Sequence, residues 1–368
     1  PCVGRIPGRP YVRSWLMEPL AIGVLSALTP PRHERVFYDD RLEQVPCDEP
    51  TDVAAINVET YTARRAYQIA AEYKRRGVPV VMGGFHATLM PEEVAAHADA
   101  VVVGEAEDLW PEVLADLESG RLQPLYRSTR RPSLAGVMPD RSIYAHKPYA
   151  DLALVETARG CRYDCEFCSI GAFFRHTYEP RPVADVVEDI RSLKRRNVFF
   201  VDDNIGVDRD RTRELLHAVQ PLGIRWVGQV SLDVADDGNL LDLMRASGCI
   251  GVLIGFESVE PESLEQMGKS VNRKARFYDR ALANLRAHGL AVYATFMFGY
   301  DGDTEASFDR TFAFALRHRF FFMAFNHVVP FPGTPLYTRL AQTARLRHDA
   351  WWLDPDYRFG NVAYDPKH

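Results

Sequence analysis

Over the first 125 positions the apolar residues fall into short blocks that switch between two periods. Arg35–Tyr38, Val53–Val58, Val78–Met82 and Ala100–Gly104 are compact runs rich in β-formers. Between them Glu18–Leu28, Ala63–Arg76 and Pro91–Ala98 carry apolar residues at helical spacing. This alternation predicts a doubly wound, Rossmann-like α/β domain over residues 1–125, because a strand buried on both faces needs helices above and below it. One more strand is expected just ahead of Pro1. Residues 126–150 lose the periodicity, are rich in Pro, Arg and Ser, and read as an interdomain linker.

A second βα series begins near Leu152. Strands are predicted at Leu154–Thr157, Val198–Asp202, Trp226–Ser231, Val252–Phe256, Val292–Phe298 and Phe322–Val329. The intervening helices are Val183–Arg196, Arg211–Gln220, Asn239–Ser247, Arg273–His288 and Glu305–Arg317. Six such units predict a partial (β/α)6 barrel over residues 151–340, with its chemistry at the C-terminal ends of the strands. Residues 341–368 form an extension, and its aromatic stretch Trp351–Phe359 is read as packing against the barrel's open side rather than as a cap over an apolar substrate.

Composition narrows the function. At 368 residues, 46% hydrophobic and 26% charged, the chain has the material of two globular domains. A net charge of -6 gives no broad attraction to phosphate backbones, so nucleic acid is not an expected partner. No apolar run reaches the roughly 18 residues of a transmembrane helix and no secretory signal is visible, so a cytoplasmic location is expected. Six cysteines are too few for a disulfide scaffold, yet Cys161, Cys165 and Cys168 crowd into eight positions, which points to a metal or redox site in a reducing compartment.

The run Arg159-Gly160-Cys161-Arg162-Tyr163-Asp164-Cys165-Glu166-Phe167-Cys168 lies just past the first barrel strand. Iron–sulfur clusters need thiolates brought close together, and three ligands on a four-iron cluster leave one iron open. Two other readings stand beside this one: a closed zinc site completed by His176, and an electron-transfer cluster completed by Cys249.

The C-x3-C-x2-C spacing, with Phe167 ahead of the last cysteine, resembles the hallmark of the radical S-adenosylmethionine (SAM) superfamily. The resemblance covers residues 152–340. It implies a [4Fe–4S] cluster on Cys161, Cys165 and Cys168, SAM chelated at the open iron, and an adenine contact from Phe167. It also implies reductive cleavage of SAM by an electron from a donor such as flavodoxin or ferredoxin. Further SAM-binding candidates sit at successive strand ends: Asp202 and Asp203, Gln229 and Ser231, Gly255 and Glu257, then Phe296 and Phe298 as an apolar wall. Asp202-Asp203-Asn204 stands where the superfamily places its amino-group motif, although the usual Gly-Gly-Glu is absent. Singly each has an ordinary reading: a helix cap for the aspartates, an ion pair for Glu257, core packing for the phenylalanines. Their joint position carries the weight. Tyr300 and Asp301, after the fifth strand, are the candidates for contact with a small-molecule substrate.

The N-terminal half resembles the cobalamin-binding domain that precedes the barrel in one branch of that superfamily. The matching segments include Gly83-Gly84-Phe85-His86 and Gly104-Glu105, whose Gly83, Gly84, His86, Gly104 and Glu105 become cobalamin-binding candidates. The D-x-H-x-x-G pattern that supplies a histidine to cobalt is missing, since Asp39-Asp40-Arg41-Leu42-Glu43 holds no histidine. With cobalamin the resemblance implies radical methyl transfer to an unactivated carbon of a small metabolite or lipid, methylcobalamin lying between the domains. Without it, rearrangement, cyclisation or 3-amino-3-carboxypropyl transfer remain open. A non-catalytic iron–sulfur sensor or electron-transfer protein is the alternative of another class.

Overall fold

A computed structural model describes residues 16–269, 272, 277–358 and 360–367. Contacts divide the chain into two compact units. The described residues up to Ala150 join His348–Asn361 in one, and Asp151–Arg347 join the residues from Val362 onward in the other.

In the first unit α1 (Leu20–Leu28) precedes β1 (Ala54–Asn57), α2 (Ala63–Arg75), β2 (Val80–Gly83), α3 (Phe85–Leu89), α4 (Pro91–Ala95), β3 (Ala100–Val103), α5 (Trp110–Glu118) and β4 (Leu125–Arg127). The four strands are parallel and lie in chain order. Val81, Ala100, Val102 and Tyr126 pack with Leu25 and Leu28 of α1 and with Trp110, Val113 and Leu114 of α5. Val80, Met82, Val101 and Val103 alternate with them along the strands and are buried as well, so both faces of the sheet are covered.

Arg35–Tyr38 is not a strand: the segment is irregular, with Val36 exposed, the Arg35 guanidinium on the Ser26 carbonyl (2.7 Å) and the Tyr38 hydroxyl on Glu49 (2.6 Å). β-Forming residues without a neighbouring strand have no ladder to join. Residues 126–150 lie within this unit and are fixed to α1, because the Tyr144 hydroxyl accepts the Gly23 N–H (2.7 Å) and donates to the Pro19 carbonyl (2.7 Å). Trp351 and Trp352, both buried, pack in this unit against Tyr61 and His86, not on the barrel. Phe359 lies outside the described residues.

The second unit opens with β5 (Ala153–Val155), β6 (Ala158–Arg159), α6 (Ser169–Phe174) and β7 (Glu179–Pro180), with β6 and β7 an antiparallel pair. Then follow α7 (Val183–Ser192), β8 (Asn197–Phe200), α8 (Arg209–Val219), β9 (Arg225–Gln229), α9 (Gly238–Ala246), β10 (Cys249–Glu257), α10 (Pro261–Gln266), α11 (Tyr278–Ala287), β11 (Ala291–Phe298), α12 (Glu305–His318), β12 (Phe322–His327) and α13 (Pro335–Gln342). The helix expected from Arg273 is described from Tyr278 on, and residues 273–276 lie outside the described set. Strands β12-β11-β10-β9-β8-β5 form one all-parallel sheet, so β5 and β12 are its two edges and the (β/α)6 barrel is partial. Trp226, Val252, Ile254, Phe256 and Ala294 join Leu216, Leu240, Leu282 and Leu285 of the helices in one core. The alternate residues Val227, Leu253, Gly255, Tyr293 and Thr295 therefore point to the other, concave face.

Candidate active site

The cysteine loop leaves the sheet through Gly160, whose positive φ of 88° and N–H bond to the Asp203 carboxylate (2.8 Å) turn the chain over the ends of the strands. Cys161, Cys165 and Cys168 are all partly exposed. Cys168 stands at the N-cap position of α6 without a side-chain cap bond; the Ile170 and Gly171 amides near it, and the Tyr163 amide and Asn204 side chain near Cys161, favour the ionised thiols. Burial pushes all three thiols upward, Cys165 up to about 12, and Lys269 pulls Cys165 and Cys161 the other way. An ionised Cys161 would raise both Cys165 and Cys168, and an ionised Cys168 would raise Cys165, which places the three thiols in one field.

Three thiols in one another's field, with amide N–H groups nearby, suit an iron–sulfur cluster, whose positive charge is what makes such half-buried thiols ionise. The described His, Cys, Asp and Glu side chains do not converge in threes as ligands of one ion do. Cluster thiolates each bind a different iron and need no such convergence. His176 is occupied elsewhere: Nδ1 lies 3.1 Å from the Tyr163 carbonyl and Nε2 3.5 Å from Asp164. It holds the loop rather than completing a zinc site, and Cys249 is buried in the barrel core.

The strand-end residues divide into those at the loop and those committed elsewhere. Asp203 braces Gly160, and Gln229 donates to the Asp203 carbonyl (2.9 Å). Asn204 ties Ser231 through both its side-chain atoms (3.2 Å each). Asp202 is turned inward, its carboxylate accepting the Thr157 N–H (2.6 Å) and hydroxyl (2.5 Å), and burial pushes it up to about 7. It is a strap between strands, not a free SAM contact. Glu257 adopts a left-handed φ of 63° at a bulge in β10 and pairs with Lys269 (2.6 Å). Gly255 makes room for that pair, since a Cβ there would sit 2.1 Å from the Glu257 Oε1 and 2.7 Å from the Lys269 Nζ. Phe167 packs partly against the barrel core.

Two expectations are overturned. Phe296 and Phe298 form no wall on the concave face. Phe296 is fully buried among Phe256, Phe314 and Phe320, and Phe298 stacks on Phe308 of α12 (4.3 Å). Both point toward the helices, since residues two apart on a strand share a face. Nor are Tyr300 and Asp301 placed for substrate contact. Tyr300 is 4% exposed, and Asp301 is held by Arg345 (2.7 Å), Lys367 (3.2 Å) and Gln266. Burial alone would raise Asp301, but those hydrogen bonds outweigh it and hold its carboxyl below the usual range.

In the first unit Gly83, Gly84 and Gly104 lie at the C-terminal ends of β2 and β3, where doubly wound sheets bind ligands. Gly84 (φ 103°) abuts Asn57 and Val58, whereas a Cβ on Gly104 would meet nothing within 4 Å. Two further candidates are corrected. His86 is fully buried between Thr60 (3.3 Å) and Glu93 (3.1 Å), and Glu105 is clamped by Arg131 through two bonds (2.7 and 2.8 Å). The C-terminal edge of this sheet, where Gly104 faces open space, remains as the part that fits a flat cofactor lying against backbone. Lys269 and Asn204 escaped the sequence reading, the first for want of a motif and the second for being read only as part of a triplet.

Residues 155–315 match the model of the Radical SAM superfamily, and residues 29–114 match that of the B12 binding domain. The chain is 30% identical over 362 residues to the bacteriochlorophyllide d C-12(1)-methyltransferase of Chlorobaculum tepidum, covering 95% of this chain and 78% of that protein. It is 25% identical to the hopanoid C-2 methylase of Rhodopseudomonas palustris, covering 95% of this chain and 68% of the relative. Among solved structures, the radical SAM methyltransferase TsrM from Kitasatospora setae, with cobalamin and a [4Fe–4S] cluster bound, shares the fold at a TM-score of 0.71 and 18% identity, over 89% of this chain and 72% of that one.

Barrel, cysteine loop and preceding α/β unit together define a radical SAM fold joined to a B12-binding fold. The chain belongs to the radical SAM superfamily, in the branch whose barrel follows a B12-binding domain. It is an enzyme that draws on a [4Fe–4S] cluster, SAM and cobalamin to methylate an unactivated carbon. Among the described residues no helix is long and apolar enough to cross a membrane.

Proposed function

We propose that Cys161, Cys165 and Cys168 are the cluster's three thiolate ligands and that the substrate is a small molecule with a large apolar surface. The observation that carries the reading is the thiol-bearing loop at the end of the first barrel strands, facing the Glu257–Lys269 pair. When bound, the three cofactors supply a low-potential electron, a carbon-centred radical and a methyl group.

The chain's own residues position these groups. Asp203 and Gln229 set the turn at Gly160. Glu257 and Lys269 offer opposite charges side by side, the complement of the ammonium and carboxylate of an amino acid. They are assigned to the methionine end of SAM. Gly83, Gly84 and Gly104 are assigned to cobalamin, with no histidine ligand to cobalt from Asp39–Glu43. The relatives are named for a bacteriochlorophyllide and a hopanoid, both polycyclic molecules with extensive apolar surface. Leu253 and Tyr293 on the concave face suit such a body. A flavodoxin- or ferredoxin-like donor in a reducing cytoplasm completes the assignment.

The test is anaerobic reconstitution with iron, sulfide and a corrinoid, then dithionite and SAM. Release of 5′-deoxyadenosine with S-adenosylhomocysteine, and one cobalt per chain, is the expected result. Methylthioadenosine instead would mean transfer of the aminocarboxypropyl group, and neither nucleoside would mean a sensor.

A further inference from the structure

The sheet of the second unit is open, with β5 and β12 unpaired to each other. The segments that follow these two edges nevertheless meet at one residue, Glu166, inside the cysteine loop. Its N–H donates to the Met267 carbonyl (2.9 Å), and its carbonyl accepts the Leu336 N–H of α13 (3.1 Å). Its carboxylate takes two bonds from Arg339 of α13, at 2.5 and 3.1 Å. Glu166 and Arg339 are 173 positions apart, so no local turn accounts for the pairing. Arg339 is backed at 3.7 Å by Asp301, which Arg345 and Lys367 hold in turn.

We infer that Glu166 and Arg339 form a clasp that shuts the seam of the open barrel at the cluster end, making Glu166 a positioning residue for the cluster. Exposed ion pairs do little, but this one is bidentate, partly buried, and joined by two backbone bonds at the same residue. Glu166 follows Cys165 directly and precedes Cys168 by two positions, so pinning its backbone limits how far either thiolate can swing. Release of the clasp lets the loop lift from α13 and opens the iron to solvent. The inference rests on the cluster assignment made above.

The full chain is reconstituted anaerobically as wild type, Arg339→Met, Arg339→Lys and Glu166→Gln. Iron per chain, the rate at which a ferrous chelator strips the cluster, and the electron paramagnetic resonance spectrum of the reduced cluster are measured. Arg339→Met is expected to bind iron as the wild type does, to lose it about fivefold faster, as for a local opening made easier by one lost pair, and to shift the spectrum. Arg339→Lys, which keeps the charge but not the fork, should fall between. If Arg339→Met does not fold, Glu166→Gln, which keeps shape and one acceptor, carries the same expectation. Stripping rates and spectra identical to wild type in the folded variants would overturn the clasp while leaving the cluster in place. A wild-type chain that takes up no iron would overturn the cluster assignment instead.

Discussion

Asp202 receives both the amide and the hydroxyl of Thr157 on one carboxylate, and so ties the end of β8 to the end of β5 beside the cysteine loop. Burial, with Glu156 nearby, pushes this carboxyl from 3.8 up to about 7 despite those bonds. The folded protein therefore holds a proton there that the unfolded chain has released, and stability declines as pH rises from about 4 to about 7. Asp202→Asn should remove that decline. Melting curves of both proteins at pH 5 and pH 8 check it, and parallel shifts in the two would refute the assignment.

Cys165→Ala is expected to lose cluster iron and SAM cleavage together. Cys249→Ala is the control: that thiol is buried in the barrel core, pushed up to about 12, and its removal should cost about 1 kcal/mol of stability with iron uptake intact. Iron analysis and single-turnover nucleoside release distinguish the two.

Gly255→Ala would drive a methyl group into the Glu257–Lys269 pair. The expected outcome is SAM binding weakened about tenfold, roughly one lost charge-assisted contact, with iron content near normal. Glu257→Gln should act the same way. Loss of iron in either would show that the pair supports folding of the loop instead. Equilibrium binding of SAM to the reconstituted protein gives the answer.

His86→Ala tests the first unit. The ring bridges Thr60 and Glu93, and Glu93 also accepts the Tyr67 hydroxyl (2.6 Å) and the Trp352 indole N–H (3.1 Å). Burial would raise Glu93, yet those bonds hold it below its ordinary 4.5, so its contribution is complete above that pH and is lost as pH falls from there through the lowered folded value. Breaking the network should cost about 1–3 kcal/mol. Cobalamin stoichiometry in the folded fraction should not change. A variant of full stability that fails to take up cobalamin would restore His86 as a ligand contact.

Much of this was legible in the amino-acid pattern, and what was not has physical causes. Three cysteines within eight positions announce themselves locally, and six βα periods give the barrel. Which face of a strand looks inward is another matter, because period-two alternation is symmetric. The pattern reads Phe296 and Phe298 as an apolar wall, and only the edge-to-face contact of Phe296 with Phe314 and the stacking of Phe298 on Phe308 show that they face the helices. Gly255 reads as a SAM-binding residue, whereas its missing side chain makes way for an internal ion pair. Lys269 and Arg339 matter through partners 12 and 173 positions away, a relation no local window contains.

The return of His348–Asn361 to the first unit means the chain passes between the two units three times, after Ala150, Arg347 and Asn361. A single cut therefore cannot release either half whole. Severing at residue 150 would deprive the corrinoid half of Trp351 and Trp352, leaving the Glu93 carboxylate short of a donor and bare apolar surface on α2. Anyone wishing to study that half in isolation must graft the tryptophan-bearing strip back onto it.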